Sequence, residues 1–127
     1  MVRGLLDTSI FIGLETGRVV SDLPDESAVS VVTLAELHLG VLLSKEGLTR
    51  ARRLRTASRV EREMEAIPID AEVARVFASI VAEARAKGRR PGVMDTWIAA
   101  TAVRHGLVLF TQDAGFDDMP QVQLHRA

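Results

Sequence analysis

The sequence predicts an α/β fold built on a mainly parallel sheet with helices on both faces. Three observations carry that expectation. Apolar, strand-like runs alternate along the chain with amphipathic helical segments, which is the pattern of βα units. Residues 107–110 (Leu-Val-Leu-Phe) are continuously apolar, as a strand buried on both faces must be. Residues 71–87 carry Val73, Val76, Phe77, Ile80, Val81 and Ala84 at helical spacing, so one face of that helix packs on a core. A chain of 127 residues with 47% hydrophobic side chains is also long enough to bury such a core without staples.

The elements follow in order. Residues 2–6 are a short apolar run containing Arg3 and Gly4, read as a strand that stops at Asp7. Ile10, Phe11, Ile12 and Leu14 make residues 8–14 a short helix, closed near Gly17. Residues 22–27, with Pro24, form a loop. Residues 28–32 are apolar and β-branched and give a second strand. In residues 33–43, Leu34, Leu37, Val41 and Leu42 recur on one side, which predicts a helix broken by Gly47. A longer helix spans 49–66, with Leu54, Ala57, Val60 and Met64 as its stripe. Residues 67–69 are extended, and Pro68 limits them to a sheet edge. Asp70 caps the helix over 71–87, the Gly-Arg-Arg-Pro-Gly stretch at 88–92 is a loop, and a helix over 95–105 ends at Gly106. The strand at 107–110 follows, with a last short one at 122–124. No repeat, low-complexity tract or linker interrupts the chain, so a single domain over 1–127 is expected.

Composition excludes several kinds of chemistry. The chain has no cysteine, which removes disulfides, thiol catalysis and cysteine-ligated zinc. Its three histidines, at 38, 105 and 125, have no metal-ligand spacing and read as structural. No apolar run approaches ~18 residues, so no transmembrane helix is expected. The first residues enter a strand pattern rather than a signal peptide, which points to the cytoplasm. A net charge of −1 argues against a bulk polyelectrolyte binder. The cations are nonetheless unevenly placed, and fourteen of the sixteen are arginine, whose planar fork suits phosphate.

Four acidic residues share one kind of address. Asp7 ends the first strand, Glu36 lies in the first turn of the helix after the second, Asp95 opens a helix, and Asp113 lies three residues beyond Phe110. In an α/β sheet, strand C-terminal ends and the neighbouring helix starts share one edge, and ligands bind there. The four carboxylates therefore have a route to one place. Each also has an ordinary structural reading. Asp7 and Asp95 suit helix N-caps. Thr33-Leu34-Ala35-Glu36 is a capping box in which Glu36 reaches back to the Thr33 amide. Asp113 suits an Asx turn in Gln-Asp-Ala-Gly.

The surrounding residues sharpen the choice. Leu-Leu-Asp-Thr-Ser at 5–9, Ala-Glu-Leu at 35–37, Asp-Thr-Trp-Ile-Ala-Ala-Thr-Ala at 95–102 and Thr-Gln-Asp-Ala-Gly-Phe at 111–116 occur in that order. This set resembles a PIN domain, and more narrowly the VapC-type ribonuclease toxins of VapBC toxin–antitoxin modules, over residues 2–124. The resemblance implies a three-layer α/β/α fold and a Mg²⁺- or Mn²⁺-dependent endoribonuclease. It also implies a homodimer and a VapB-type antitoxin laid across the acidic groove. Asp7, Glu36 and Asp95 match its three core acids and Asp113 its more variable fourth. Many relatives carry an acid directly before the phenylalanine, where this chain has Gly115, so Asp117 just after Phe116 is a second candidate for the outer position.

Phosphodiester hydrolysis needs charge compensation at phosphorus and an activated water, and hard divalent ions supply both. On that basis Asp7 and Asp95 are the direct or water-bridged ligands. Glu36 binds a second ion or orients the attacking water, and Asp113 holds outer waters. Thr8, Ser9 and Thr111 are candidate donors that fix the carboxylates, with simple turn-forming roles as the alternative. Arg89 and Arg90, close in sequence to Asp95, are candidate RNA contacts. Residues 50–62 hold six arginines, four of which (Arg52, Arg55, Arg59, Arg62) fall on one helical face. That face is either simply solvated, RNA-binding or a partner surface. Trp97 is expected to be buried.

Two other readings are weaker. A phosphoacceptor receiver domain wants paired acids near its first strand and a lysine after a late one, and here Gln112 follows instead. A catalytically inactive PIN-like RNA-binding or interaction module would be expected to have lost acids, and all four are present.

Overall fold

The computed structural model describes residues 3–127. Val2, the first residue of the expected opening strand, lies outside the described residues. In chain order the elements are β1 (Arg3–Leu6), α1 (Thr8–Glu15), β2 (Glu26–Ser30), α2 (Val31–Leu43), α3 (Gly47–Glu63), β3 (Glu65–Ile67), α4 (Ala71–Ala86), α5 (Val93–Arg104), β4 (Val108–Thr111) and β5 (Leu124–Arg126). A single 3₁₀ turn, Ala114–Phe116, separates the last two strands.

Among the described residues the strands form one sheet in the order β3-β2-β1-β4-β5, and each pairing is parallel. The chain runs from β1 outward through β2 and β3, then returns to β4 on the other side of β1. That reversal beside β1 is the switch point at which α/β sheets bind ligands.

Side chains alternate across the sheet and build two cores, as the period-2 geometry of strands requires. Leu5, Ala28 and Leu109 face one side, where α4 and α5 cover them with Val73, Ile80 and Ile98. Leu6, Val29 and Phe110 face the other, covered by α1, α2 and α3 through Ile10, Leu37 and Val60. The result is the three-layer α/β/α arrangement. Trp97 is half-buried in the first layer and stacks on Phe77 with ring centroids 3.8 Å apart. Among the described residues no helix is long and apolar enough to cross a membrane.

Several boundaries differ from the expected ones, each for a local reason. α2 begins at Val31, not Thr33, because the Ser30 hydroxyl accepts a hydrogen bond from the Val32 amide at 3.0 Å and caps the helix there. Strand β2 accordingly ends at Ser30 instead of Val32. α3 begins at Gly47, where the sequence predicts a helix break. The Glu46 carboxylate accepts from the amides of Leu48 (3.0 Å) and Thr49 (2.8 Å) and serves as the cap. The same helix stops at Glu63, and Glu65–Ile67 leave it to form the edge strand β3 that Pro68 then closes. Asp70 caps α4 as expected, accepting from the Val73 amide at 2.9 Å. α5 begins two residues before Asp95, after Gly92, with no side-chain cap. The last strand lies two residues later than expected, at Leu124–Arg126.

Candidate active site

The site is built from β1 outward. Asp7 follows the last residue of β1, and its amide donates to the Phe110 carbonyl at 2.9 Å, so the backbone between β1 and β4 holds it in place. The residue is 3% exposed. Its Oδ2 accepts from the Thr111 hydroxyl at 2.9 Å and from the Ser9 amide at 3.3 Å. The N-cap reading of Asp7 is therefore correct, but it accounts for only part of what the side chain does.

Thr111, at the end of β4, is buried and bridges two acids. While its hydroxyl donates to Asp7, the same oxygen accepts from the Asp113 amide at 2.9 Å. Ser9 Oγ lies 3.2 Å from the Thr111 hydroxyl and accepts from the Gln112 amide at 2.9 Å. Strand end, helix start and the turn carrying Asp113 are thus tied into one network. Asp113 sits exposed at the rim, and its Oδ1 accepts from the Gly115 amide at 2.8 Å, the expected Asx turn.

Glu36 does not form the expected capping box, because α2 starts earlier and Thr33 is already a buried helical residue. Instead its Oε1 accepts from the Thr8 hydroxyl of α1 at 2.6 Å, and Thr33 Oγ1 lies 3.2 Å from that same hydroxyl. Asp95 is not a cap either. It stands in the first turn of α5, half-buried. Burial first, and then the charges of Asp7, Asp113 and Glu36, push its carboxyl up to about 6 from an ordinary 3.8. Asp7, Asp113 and Glu36 are therefore each within electrostatic reach of Asp95. Asp7 is buried, Glu36 and Asp95 are half-buried, and Asp113 is exposed.

The donor set is all oxygen and suits a hard cation. Among the described residues no three acidic or histidine side chains are arranged to close directly around one ion. Mg²⁺ does not require such a cage, because it binds through one or two carboxylates and keeps several waters. Gly115 marks the available space. A Cβ there would come 3.2 Å from Asp113 Oδ1 and 3.3 Å from Asp95 Oδ2, so glycine keeps open the gap between two carboxylates. With burial and then the neighbouring acids raising the Asp95 carboxyl, and hydroxyls already orienting Asp7 and Glu36, the residues fit a hydrated divalent cation.

Other candidates separate from the cluster. Asp117 pairs with Arg126 of β5, whereas Asp113 is one of the acids that act on Asp95. Arg89 is held by Asp118, to its carboxylate at 2.8 Å and its carbonyl at 3.4 Å. Arg90 lines a recess beside Gly115. His38 faces Glu61 at 3.5 Å, His105 ends α5, and His125 packs on Phe110, all outside the acidic cluster. Sequence reasoning missed Thr33 and the open space at Gly115. Thr33 was visible only as half of a capping box, and Gly115 only as a missing acid.

Replacing Thr111 with valine keeps the shape of the side chain but removes the bridge. The Asp113 amide then lacks its partner and Asp7 loses a donor. The expected result in urea unfolding is a loss of about 1–3 kcal/mol.

The chain matches known proteins in sequence and in fold. Residues 4–122 match the PIN domain family. The chain is 44% identical over 124 residues to Ribonuclease VapC4 of Mycobacterium tuberculosis, covering 96% of this chain and 95% of that protein. Among solved structures it is similar to VapBC-5, a toxin–antitoxin system member from Mycobacterium tuberculosis, with a TM-score of 0.85 and 37% identity over the whole of both chains. It is also similar to FitAcB from Neisseria gonorrhoeae, with a TM-score of 0.75 and 29% identity over 99% of this chain and 97% of that one.

Proposed function

The chain belongs to the PIN-domain family, among the VapC-type ribonuclease toxins of toxin–antitoxin modules, and from that premise we propose that its acidic cluster is the site of endoribonucleolytic RNA cleavage. Ribonucleases of this kind are generally metal-dependent. The assignment is carried by the position of the half-buried Asp95 beside Gly115 and Asp113 at the switch point of the sheet, with the charges of Asp7, Asp113 and Glu36 acting on it.

In this reading Asp7 and Asp95 hold a Mg²⁺ or Mn²⁺ ion. When bound, such an ion compensates phosphate charge and lowers the pKa of a coordinated water. Glu36, half-buried and oriented by Thr8, positions the attacking water or takes a second ion. Asp113 at the exposed rim holds outer waters. Thr111 and Ser9 fix the Asp7 carboxylate in one orientation, so little reorganisation is needed when phosphate arrives. Arg90, beside Gly115, is a candidate phosphate contact; the Asp118 pairing of Arg89 favours a structural role for that residue.

The chain acts as one PIN-like unit over 1–127, in the cytoplasm, as a homodimer. Its inhibitor is a VapB-type antitoxin, for which the exposed leucines of α2 and the start of α3 (Leu39, Leu42, Leu43 and Leu48) offer an apolar seat. An inactive RNA-binding or interaction module is the alternative, and the retention of all four acids argues against it.

A cleavage assay tests the proposal. The purified chain is expected to cut single-stranded RNA with Mg²⁺ or Mn²⁺, to stop with excess EDTA and to resume on adding the metal back. Cleavage that persists unchanged in EDTA would contradict it.

A further inference from the structure

The acidic cluster opens on its Glu36 side into a recess of about 230 Å³, lined by Thr8, Glu15 and Glu36 and by Arg52 and Arg53 of α3. Arg53 is committed, since its Nη1 donates to the Gly40 carbonyl of α2 at 3.0 Å. Arg52 is exposed and also borders a second, shallower groove of about 630 Å³. That groove runs along α3, lined by Arg52, Arg55, Arg59 and Arg62 with the hydroxyls of Thr56 and Ser58. The four arginines repeat at i, i+3, i+7 and i+10, so they form one row about 15 Å long. Arg52 is the point where the row meets the site.

The acids on the same helix do not cancel the row. Glu61 is turned to His38, and Glu63 pairs with Arg59 at 3.2 Å. Among the described residues Arg55 and Arg62 form no ion pair, and both are exposed. A row of four guanidinium groups, two of them without an ion pair, with interleaved hydroxyls and leading to the acidic site, has the chemistry of a polyphosphate track. A chain with one tryptophan and no tyrosine has little with which to hold RNA by stacking, so phosphate contacts must carry most of the affinity.

The geometry points to the α3 face as the track for the RNA strand on the Glu36 side of the cleavage site, with Arg52, Arg55 and Arg62 as positioning residues that bind successive phosphates. This rests on the ribonuclease reading of the acidic cluster. It also implies a substrate requirement: efficient binding needs RNA that extends several nucleotides beyond the scissile phosphate on that side.

The test is RNA binding as a function of salt. Fluorescence anisotropy is measured with a labelled, unstructured RNA of about twenty nucleotides and with one of about four. Asp95→Asn serves as the parent so that the RNA stays intact. Adding Arg55→Gln and Arg62→Gln is expected to weaken binding of the long RNA about tenfold at moderate salt. The slope of log K against log salt becomes shallower by about 1.4, because each phosphate of a single strand that is no longer neutralised takes about 0.7 from it. The short RNA changes little. Arg55→Lys with Arg62→Lys keeps both charges and recovers most of the slope, which a merely structural role would not do. An unchanged slope, or equal losses for long and short RNA, overturns the proposal. So does a face that binds polyglutamate as tightly as RNA at the same salt, because it would then belong to an acidic protein partner. A wild-type chain that cuts RNA with metal, together with an arginine variant that binds like its parent, removes only the track. A wild-type chain that neither binds nor cuts RNA removes the ribonuclease reading with it.

Discussion

Asp95→Asn is expected to abolish activity and to stabilise the metal-free protein. The two effects have one cause. Asp95 is half-buried in the first turn of α5, and Asp7, Asp113 and Glu36 act on it together. At neutral pH without a cation, folding takes its negative charge partly out of water and brings it near three others. Asparagine removes that charge with almost no change in shape, so the apoprotein's Tm rises by a few degrees. The same change removes a proposed metal ligand. Cleavage is expected to fall by at least ~100-fold, the scale on which one preorganised electrostatic partner acts. Calorimetry without metal and RNA cleavage with Mn²⁺ are the two readouts. A substitution that lowers both stability and activity would mean Asp95 is a structural residue and not part of a repulsive cation site.

The second large effect is the linkage between metal, proton and fold. The Asp95 carboxyl, raised to about 6 from an ordinary 3.8, holds its proton more tightly in the folded chain than in the unfolded one. Between those values the folded state binds more protons, so this group's contribution to stability falls as pH rises through the window and stays lower above it. A divalent cation reverses the penalty by compensating the ionised carboxylate. At a hundredfold excess over Kd, binding contributes about 2.7 kcal/mol, which is several degrees in Tm for a chain of this size. At pH 5 the proton competes for Asp95, and the apparent affinity drops about tenfold. The Mn²⁺-induced rise in Tm is therefore expected to be larger at pH 7.5 than at pH 5. It is expected to be absent or much reduced in Asp7→Asn. An equal rise at both pH values, or the same rise in Asp7→Asn as in the native chain, would show that the cation binds elsewhere.

Much of the fold could be read from the sequence, because local hydrophobic pattern decides it. The continuous apolar run before Thr111 and the stripe from Val73 to Ala84 marked a buried strand and a core-facing helix, and both are there. Helix starts were less legible. Ser30 and Thr33 both suit a cap, and Val31 and Val32 look like strand; the helix starts after Ser30, whose hydroxyl reaches the Val32 amide. The addresses of the four acids followed from the rule that strand ends and helix starts share an edge. Their partners did not. Thr111 lies 104 residues from Asp7 and Thr8 lies 28 from Glu36, and no local spacing encodes contacts of that range. Asp117 and Arg89 likewise meet their partners, Arg126 and Asp118, only once β5 and the turn after β4 are packed in place. The arginine face of α3 was legible as a face, whereas its junction with the acidic site at Arg52 needed the packing of α1, α2 and α3.

Whether the carboxylates from β1, α2, α5 and the turn after β4 serve one cation is measured directly by anomalous diffraction from crystals soaked in Mn²⁺. The expected result is a peak in the space beside Gly115, with Asp7 and Asp95 bound to the ion directly or through its waters. Full Mn²⁺ occupancy elsewhere on the chain, with Asp7, Glu36, Asp95 and Asp113 left as they are without metal, would contradict it.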